Sequence, residues 1–244
     1  MRYENKLIHK NTKIGKNSKI GFGTIIHEGV VIGDNVHIGS YCIIGEPTSD
    51  YYEKKTYAPK TTIIGNNSII RSHSVIYCDT EIGGNFNTGH RVTIREKTII
   101  GNNCSIGTLS DLQGHLKISD HVRLHSNVHI GQLSEISSYV WIYPYVVLTN
   151  DPYPPMGKLK GVRVGEYSQI ATSSVIMPGV SIGVNALIGA HSMVNKDVND
   201  ERVVVGSPGR DLCSIRDIKD SDNNEIYPWK DHLKDFRGYP WQIK

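Results

Sequence analysis

The sequence is poor in the features that mark several large function classes. Its four cysteines, Cys42, Cys78, Cys104 and Cys213, stand far apart with no paired spacing, so neither a disulfide framework nor a cysteine-based metal module is expected. No apolar run reaches the roughly 18 residues a spanning helix needs, and no signal-peptide core is present. The chain is therefore expected in the cytoplasm, with no membrane partner. A formal net charge of only +3 gives little attraction for polyanions, so no nucleic-acid partner is expected either. No Gly-x-x-x-x-Gly-Lys-Ser/Thr segment occurs, which removes the phosphate loop.

What the sequence does contain is a six-residue beat. Aliphatic openers stand at Ile8, Ile14, Ile20, Ile26, Ile32, Ile38 and Ile44, and a small or β-branched residue such as Thr24, Val30, Val36 or Cys42 follows four places later. The beat resumes at Ile64 and runs to Leu148, then again from Val164 to Val194. A short fixed period is the signature of a solenoid, and hexapeptide periods belong to β-helices. An opener and the residue four later both face inward when the backbone is extended between them and turns in the rest of the unit. Three units then form one triangular coil, and roughly nine coils about 4.8 Å apart give a prism on the order of 45 Å long. Gly and Asn, as in Ile14-Gly15-Lys16-Asn17 and Ile100-Gly101-Asn102-Asn103, suit corners that need positive φ. Cys42 and Cys104 fall on inward places and read as core. The fold class is all-β: one solenoid over residues 1–209, followed by a tail at 210–244 in which residues 211–219 are compatible with a short helix.

Two insertions interrupt the beat, near residues 49–61 and 149–162. The first contains Asp50-Tyr51-Tyr52-Glu53-Lys54-Lys55, and the prolines of the second, Pro152, Pro154 and Pro155, oppose strand pairing. Long loops in a tight repeat are surface excursions or functional elements. Residues just before the openers face outward. Ile69 and Trp141 share one face and Val75 and Val147 the next, and such apolar ladders need a cover, for which self-association is one route. Eleven histidines invite a metal reading. His121, His125 and His129 would converge on a helix, but here they occupy the fourth, second and sixth places of their units, so no metal is expected. In the tail, Tyr227-Pro228-Trp229 and Gly238-Tyr239-Pro240-Trp241 are aromatic anchors, suited to packing on the prism or to stacking on a nucleotide base.

Three segments, Ile176-Met177-Pro178-Gly179-Val180-Ser181-Ile182-Gly183, Ile188-Gly189-Ala190-His191 and Val204-Val205-Gly206-Ser207-Pro208-Gly209-Arg210, resemble the C-terminal half of the left-handed β-helix acyltransferases of the hexapeptide-repeat superfamily. The resemblance implies the left hand, a homotrimer, and acyl transfer from acetyl-CoA or another acyl-CoA to an amine or hydroxyl between subunits. It implies coenzyme contacts at Thr172, Ala190, Asn195 and Lys196, with Arg210 near the phosphates. Here Gly206-Ser207-Pro208-Gly209 stands where the family commonly has Gly-Asn-Pro-Ala. The segment Val147-Leu148-Thr149-Asn150-Asp151-Pro152-Tyr153-Pro154 resembles the Thr-Asn-Asp-x-x-Pro stretch of N-acetyltransferases acting on nucleotide-linked 3-amino sugars, which implies a nucleotide-linked amino sugar as acceptor. Related O-acetyltransferases tend to carry a His where this chain has Asp151, and an amine needs a weaker base than a hydroxyl does.

Thioester aminolysis needs a neutral amine, an oxyanion donor and a place for a proton. Asn150 and Asp151 are candidates to orient the acceptor, or they form an Asx turn at the loop's start. His90 occupies the corner that holds the catalytic His in lipid A acyltransferases of this fold. His125, on the same edge two coils onward and stacked toward Tyr143, is the first candidate base, with His90 second; either is also compatible with an ordinary polar corner. The zinc-binding γ-class carbonic anhydrases place a second His five residues after the first, where this chain has Arg95 after His90.

Overall fold

A computed structural model of the chain describes residues 6–53, 58 and 60–232. Lys54 and Lys55 of the first insertion, and the Gly238 to Trp241 anchor, lie outside them. Strands of mostly two or three residues recur every six positions and stack into three parallel sheets, the faces of a triangular prism. The first face has ten strands, from Leu7–Ile8 to Met193–Val194. The second has nine, from Lys13–Ile14 to Ser181–Ile182. The third has eleven, beginning at Lys19–Ile20. The prism therefore exceeds the nine coils expected. Both interrupted coils keep all three strands, and the last turn is completed beyond the beat by Arg202–Val205.

Openers and their partners four places later fill the interior: Ile26, Val30, Ile32, Val36, Ile38 and Cys42 are all at most 3% exposed, and the same core continues to Val204. At most of the second inward places that hold Ser or Thr, Thr98 excepted, the hydroxyl joins successive coils. Ser110 Oγ donates to His125 O at 2.9 Å and accepts from Val128 N at 3.2 Å, which satisfies a polar atom that would otherwise be costly to bury. Phe86 and Leu116 take this place too and are fully buried, so it is not confined to small residues. Burial pushes the Cys104 thiol up to about 12.

The fourth place of most units has φ near +60°. On the edge between the second and third faces, Asn17, Asn35 and Asn67 form an amide ladder with links of 3.2 Å. Further along the same edge the place is taken by His121, Tyr139 and Tyr167, stacked at 4.6 and 4.8 Å. Corners thus accept more than Gly and Asn. A non-glycine residue there costs about 1–2 kcal/mol, which ring stacking and the inter-coil hydrogen bonds offset.

The tail departs from the expected helix at residues 211–219. Arg210–Ser214 is a strand antiparallel to Arg202–Val205, followed by one 3-10 turn, Ile215–Asp217, capped by Ser214. An open strand edge at the end of a solenoid needs a cap, and this pairing supplies it, reinforced by Arg202 on Asp211. Trp229 then packs edge-on against Trp141, with centroids 5.5 Å apart. Trp141, placed outward by the repeat, is only 3% exposed. Its cover comes from the chain's own tail.

Candidate active site

Because a coil is 18 residues, chemistry accumulates at that spacing. On the first face Asp111 and His129 are register partners, and His129 Nδ1 lies 3.2 Å from Asp111 Oδ2. Gln113 Nε2 donates to the same oxygen at 2.5 Å. The His129 hydrogen bond holds the Asp111 carboxyl below the usual carboxylate range; burial opposes this, and Gln113 and Arg95 add to it. An ionised carboxylate only accepts hydrogen bonds. Nδ1 is then the donor, and Nε2 is the ring nitrogen that offers a lone pair when the imidazole is neutral. Among the described residues Nε2 has no partner, and the side chain is 42% exposed. This is the base-and-orienter arrangement of general-base catalysis.

The second insertion springs from the next strand of this face, Val147–Leu148, whose Val147 is the register partner of His129. Thr149 anchors the exit through its N–H and Oγ1 to Ile176 O, at 3.0 and 2.8 Å. Asn150 sits against Gly131, where a Cβ would stand 3.0 Å from Asn150 Cγ. Its carbonyl accepts Lys160 N–H at 2.7 Å, which closes the loop at its root. Asp151 Oδ1 accepts Tyr153 N–H at 3.0 Å, an Asx turn. His129 thus lies on the first face two residues before Gly131, the glycine that Asn150 sits against one coil onward at the border with the second face.

His125 stacks on Tyr143, with centroids 4.8 Å apart and planes 11° from parallel, and burial followed by the Arg123 charge pushes its pKa down. It lies on the border of the third and first faces. Register carries Leu124 to Ile142, Ile170 and Ile188, so Thr172 and Ala190 share this border below it, and His191 N–H bonds Thr172 O at 2.9 Å. His90 is exposed on the same border. In register it aligns with Ser126, since Thr88, Ile106 and Leu124 are partners. His125 and Asn150 do not come together within one chain. A six-residue unit separates their corners, on the order of 15–20 Å of extended backbone. Tyr143 is near Asn150 in sequence, but the whole first face lies between them.

Asn195, Lys196 and Arg210 do meet, lining a cleft of about 270 Å³ at the end of the first face, together with Asp197 and Asp211. His121, His125 and His129 diverge to two edges and a face, and among the described residues no three His, Cys, Asp or Glu side chains converge as a metal site.

Two features escaped the sequence reading. The Asp111 and His129 pair was legible as an 18-residue separation. The other is a groove of about 520 Å³ on the second face, bordered by the returning loop and lined by His115, Lys117, Leu133, Glu135, Lys160 and Arg163; no sequence signal marks it, because the loop supplies part of its wall.

Comparison with known proteins agrees with this architecture. Residues 11–46 match the family model for bacterial transferase hexapeptide, six repeats. The chain is 35% identical over 105 residues to the galactoside O-acetyltransferase of Escherichia coli K12, covering 40% of this chain and 49% of that protein. It is 26% identical over 129 residues to the chloramphenicol acetyltransferase of Klebsiella aerogenes, covering 48% and 51%. The chain thus spans about half the length of these curated relatives. Two solved structures share its fold: the UDP-N-acetylglucosamine acyltransferases of Arabidopsis, with TM-score 0.65, 19% identity and coverage of 88% and 74%, and of Campylobacter jejuni, with TM-score 0.60, 17% identity and coverage of 90% and 78%. The repeat and these relatives support placement in the hexapeptide-repeat transferase superfamily.

Proposed function

We propose that this chain is an acyl-CoA-dependent N-acyltransferase, transferring an acetyl group to the amine of a nucleotide-linked amino sugar in surface-glycan synthesis, as a cytoplasmic homotrimer. The observation that carries the reading is the carboxylate-backed His129 on the strand next to the one from which the long loop and Asn150 spring. The acyltransferase relatives support the reaction class. The Thr149-Asn150-Asp151 segment supports the acceptor, and the names of the fold neighbours are compatible with a nucleotide sugar.

In this reading His129 Nε2 accepts a proton from the acceptor amine as nitrogen attacks the thioester carbonyl. The C–S bond breaks, and the leaving thiolate takes the proton from the imidazolium, releasing the amide and free CoA. Asp111 fixes the tautomer and stabilises the imidazolium formed in transit. Asn150, whose carboxamide makes no hydrogen bond within the described residues, orients the acceptor. Asp151 holds the turn that presents Asn150. Coenzyme runs from the cleft at Asn195, Lys196 and Arg210 past the small residues Thr172 and Ala190. The outward ladder Val147, Val175 and Met193 on the first face gives it, or a second subunit, an apolar surface.

A second reading is favoured by the same pair. A carboxylate-backed imidazole is also strong enough to activate a hydroxyl, so O-acetylation of a sugar or antibiotic remains in view and the residue at Asp151 no longer decides between them. The test is CoA-thiol release from acetyl-CoA against nucleotide-linked 3-amino and 4-amino sugars and their hydroxyl analogues. Turnover of the amines supports the proposal. Turnover of the hydroxyl analogues alone supports the second reading, and failure to bind any acyl-CoA turns the chain into a non-catalytic scaffold.

A further inference from the structure

The groove on the second face was left unused by the reaction above. Its charge is unbalanced. Lys117, Lys160 and Arg163 face it with one carboxylate, Glu135. Arg163 Nε is 3.9 Å from Glu135 Oε2, and that Arg side chain is 72% exposed, so the pair is weak. Lys117 is a register neighbour of Glu135, yet neither Lys117 nor Lys160 forms an ion pair or side-chain hydrogen bond within the described residues. A charge ladder along the sheet would account for Lys117, Glu135 and Arg163. It leaves Lys160 unexplained, because that residue is delivered from the loop. Its N–H bonds Asn150 O at 2.7 Å, and its carbonyl accepts Gly179 N–H at 3.1 Å. The backbone is thereby pinned between the loop root and the groove. Gly161 lets the returning loop lie close on the coil before it, since a Cβ would collide with the Leu133 carbonyl.

Three cations against one carboxylate leave an excess of about two positive charges, which matches a diphosphate carrying about two negative ones. The volume is within the range of small-ligand sites. We infer that this groove binds the diphosphate of the nucleotide-linked acceptor, with Lys117 and Lys160 as its principal contacts and the sugar reaching over the edge past Asn150 toward His129. The inference rests on the acceptor proposed above. Acyl-CoA also carries a diphosphate, but the coenzyme reading places it in a separate cleft at the far end of the first face, where Lys196 and Arg210 stand with Asp197 and Asp211. The two anions are therefore assigned to different places.

Lys117→Met, Lys160→Met and the double variant test this in the full-length protein. Each single change is expected to raise the acceptor KM by about ten-fold, the loss of one charge-assisted contact, with kcat at saturation and the acetyl-CoA KM within about two-fold. An unchanged acceptor KM overturns the assignment, and so does a rise confined to the acetyl-CoA KM, which would give the groove to the coenzyme. Calorimetric titration with inorganic pyrophosphate, in protein saturated with acetyl-CoA, is independent of the acceptor's identity. Binding that disappears in the double variant supports an anion groove even if no amino-sugar nucleotide is turned over, in which case only the reaction reading fails. Absence of pyrophosphate binding overturns the groove and leaves the reaction untouched.

Discussion

Replacing Asp111 with Asn separates catalysis from stability at the proposed centre. The two side chains are nearly isosteric, so the fold has little to adjust. One oxygen of Asp111 accepts from both His129 Nδ1 and Gln113 Nε2. An Asn oxygen in that place still accepts from both and keeps the tautomer, but the negative charge that stabilises the imidazolium is gone; an Asn turned the other way puts its NH2 against His129, forces Nδ1 to accept and moves the proton to Nε2, the wrong tautomer for a base. General-base catalysis contributes about 10²–10⁴-fold. The 3.2 Å contact is long for a charge-assisted bond, and both side chains are about 40% exposed, so the lower end applies: kcat should fall about 30- to 100-fold. The stability term is that of an exposed pair, about 0.2–1 kcal/mol, or a Tm change of no more than about 4 °C. The pH dependence has a definite sign. Asp111 titrates below its ordinary value in the folded protein, so its stabilisation is present above the normal carboxylate range and is lost as pH falls through the depressed pKa. The Asn variant should lack that acid-limb loss. The assay is acetyl-CoA-dependent thiol release across pH, with thermal unfolding in parallel. A kcat within three-fold of wild type would refute the role given to the pair.

Further predictions follow from individual contacts. Gly131→Ala places a methyl against Asn150 and the Leu148 carbonyl; it should displace the loop root, raise the acceptor KM several-fold and leave acetyl-CoA binding intact by calorimetry. Trp229→Ala uncovers Trp141 and should cost about 1–3 kcal/mol, seen as a lower Tm and red-shifted tryptophan emission. Ser110→Ala removes the hydroxyl that serves both His125 O and Val128 N and should lower stability by about 1–3 kcal/mol in urea titration. Light scattering at micromolar concentration should give three times the chain mass, and a monomer would remove the intersubunit site.

The fold was legible because an inward aliphatic every six residues is both the sequence signal and the structural cause. The end of the prism was less so. Residues 211–219 suit either a helix or a strand, and the free edge of Arg202–Val205 decides between them. At the site, the residue types were legible and their grouping was not. His121, His125 and His129 were rightly separated by their places in the unit, but the same arithmetic applied to Asp111 and His129 yields the pair. His125 is a candidate base through its stack on Tyr143, although within one chain the whole first face lies between it and Asn150. Lys160 could not be placed from sequence, since its position depends on two backbone hydrogen bonds made by a long loop. The tail anchor at Trp229 packs on the prism, the simpler of its two readings.

The central claim is that His129, backed by Asp111 at the root of the long loop, is the base for acyl transfer to an amine. The most direct test is kcat/KM for an amino-sugar nucleotide with acetyl-CoA in His129→Ala and His125→Ala, measured side by side. The account predicts a loss of about 100-fold or more in the first and a change within a few-fold in the second. The reverse order, or two active variants, would contradict it.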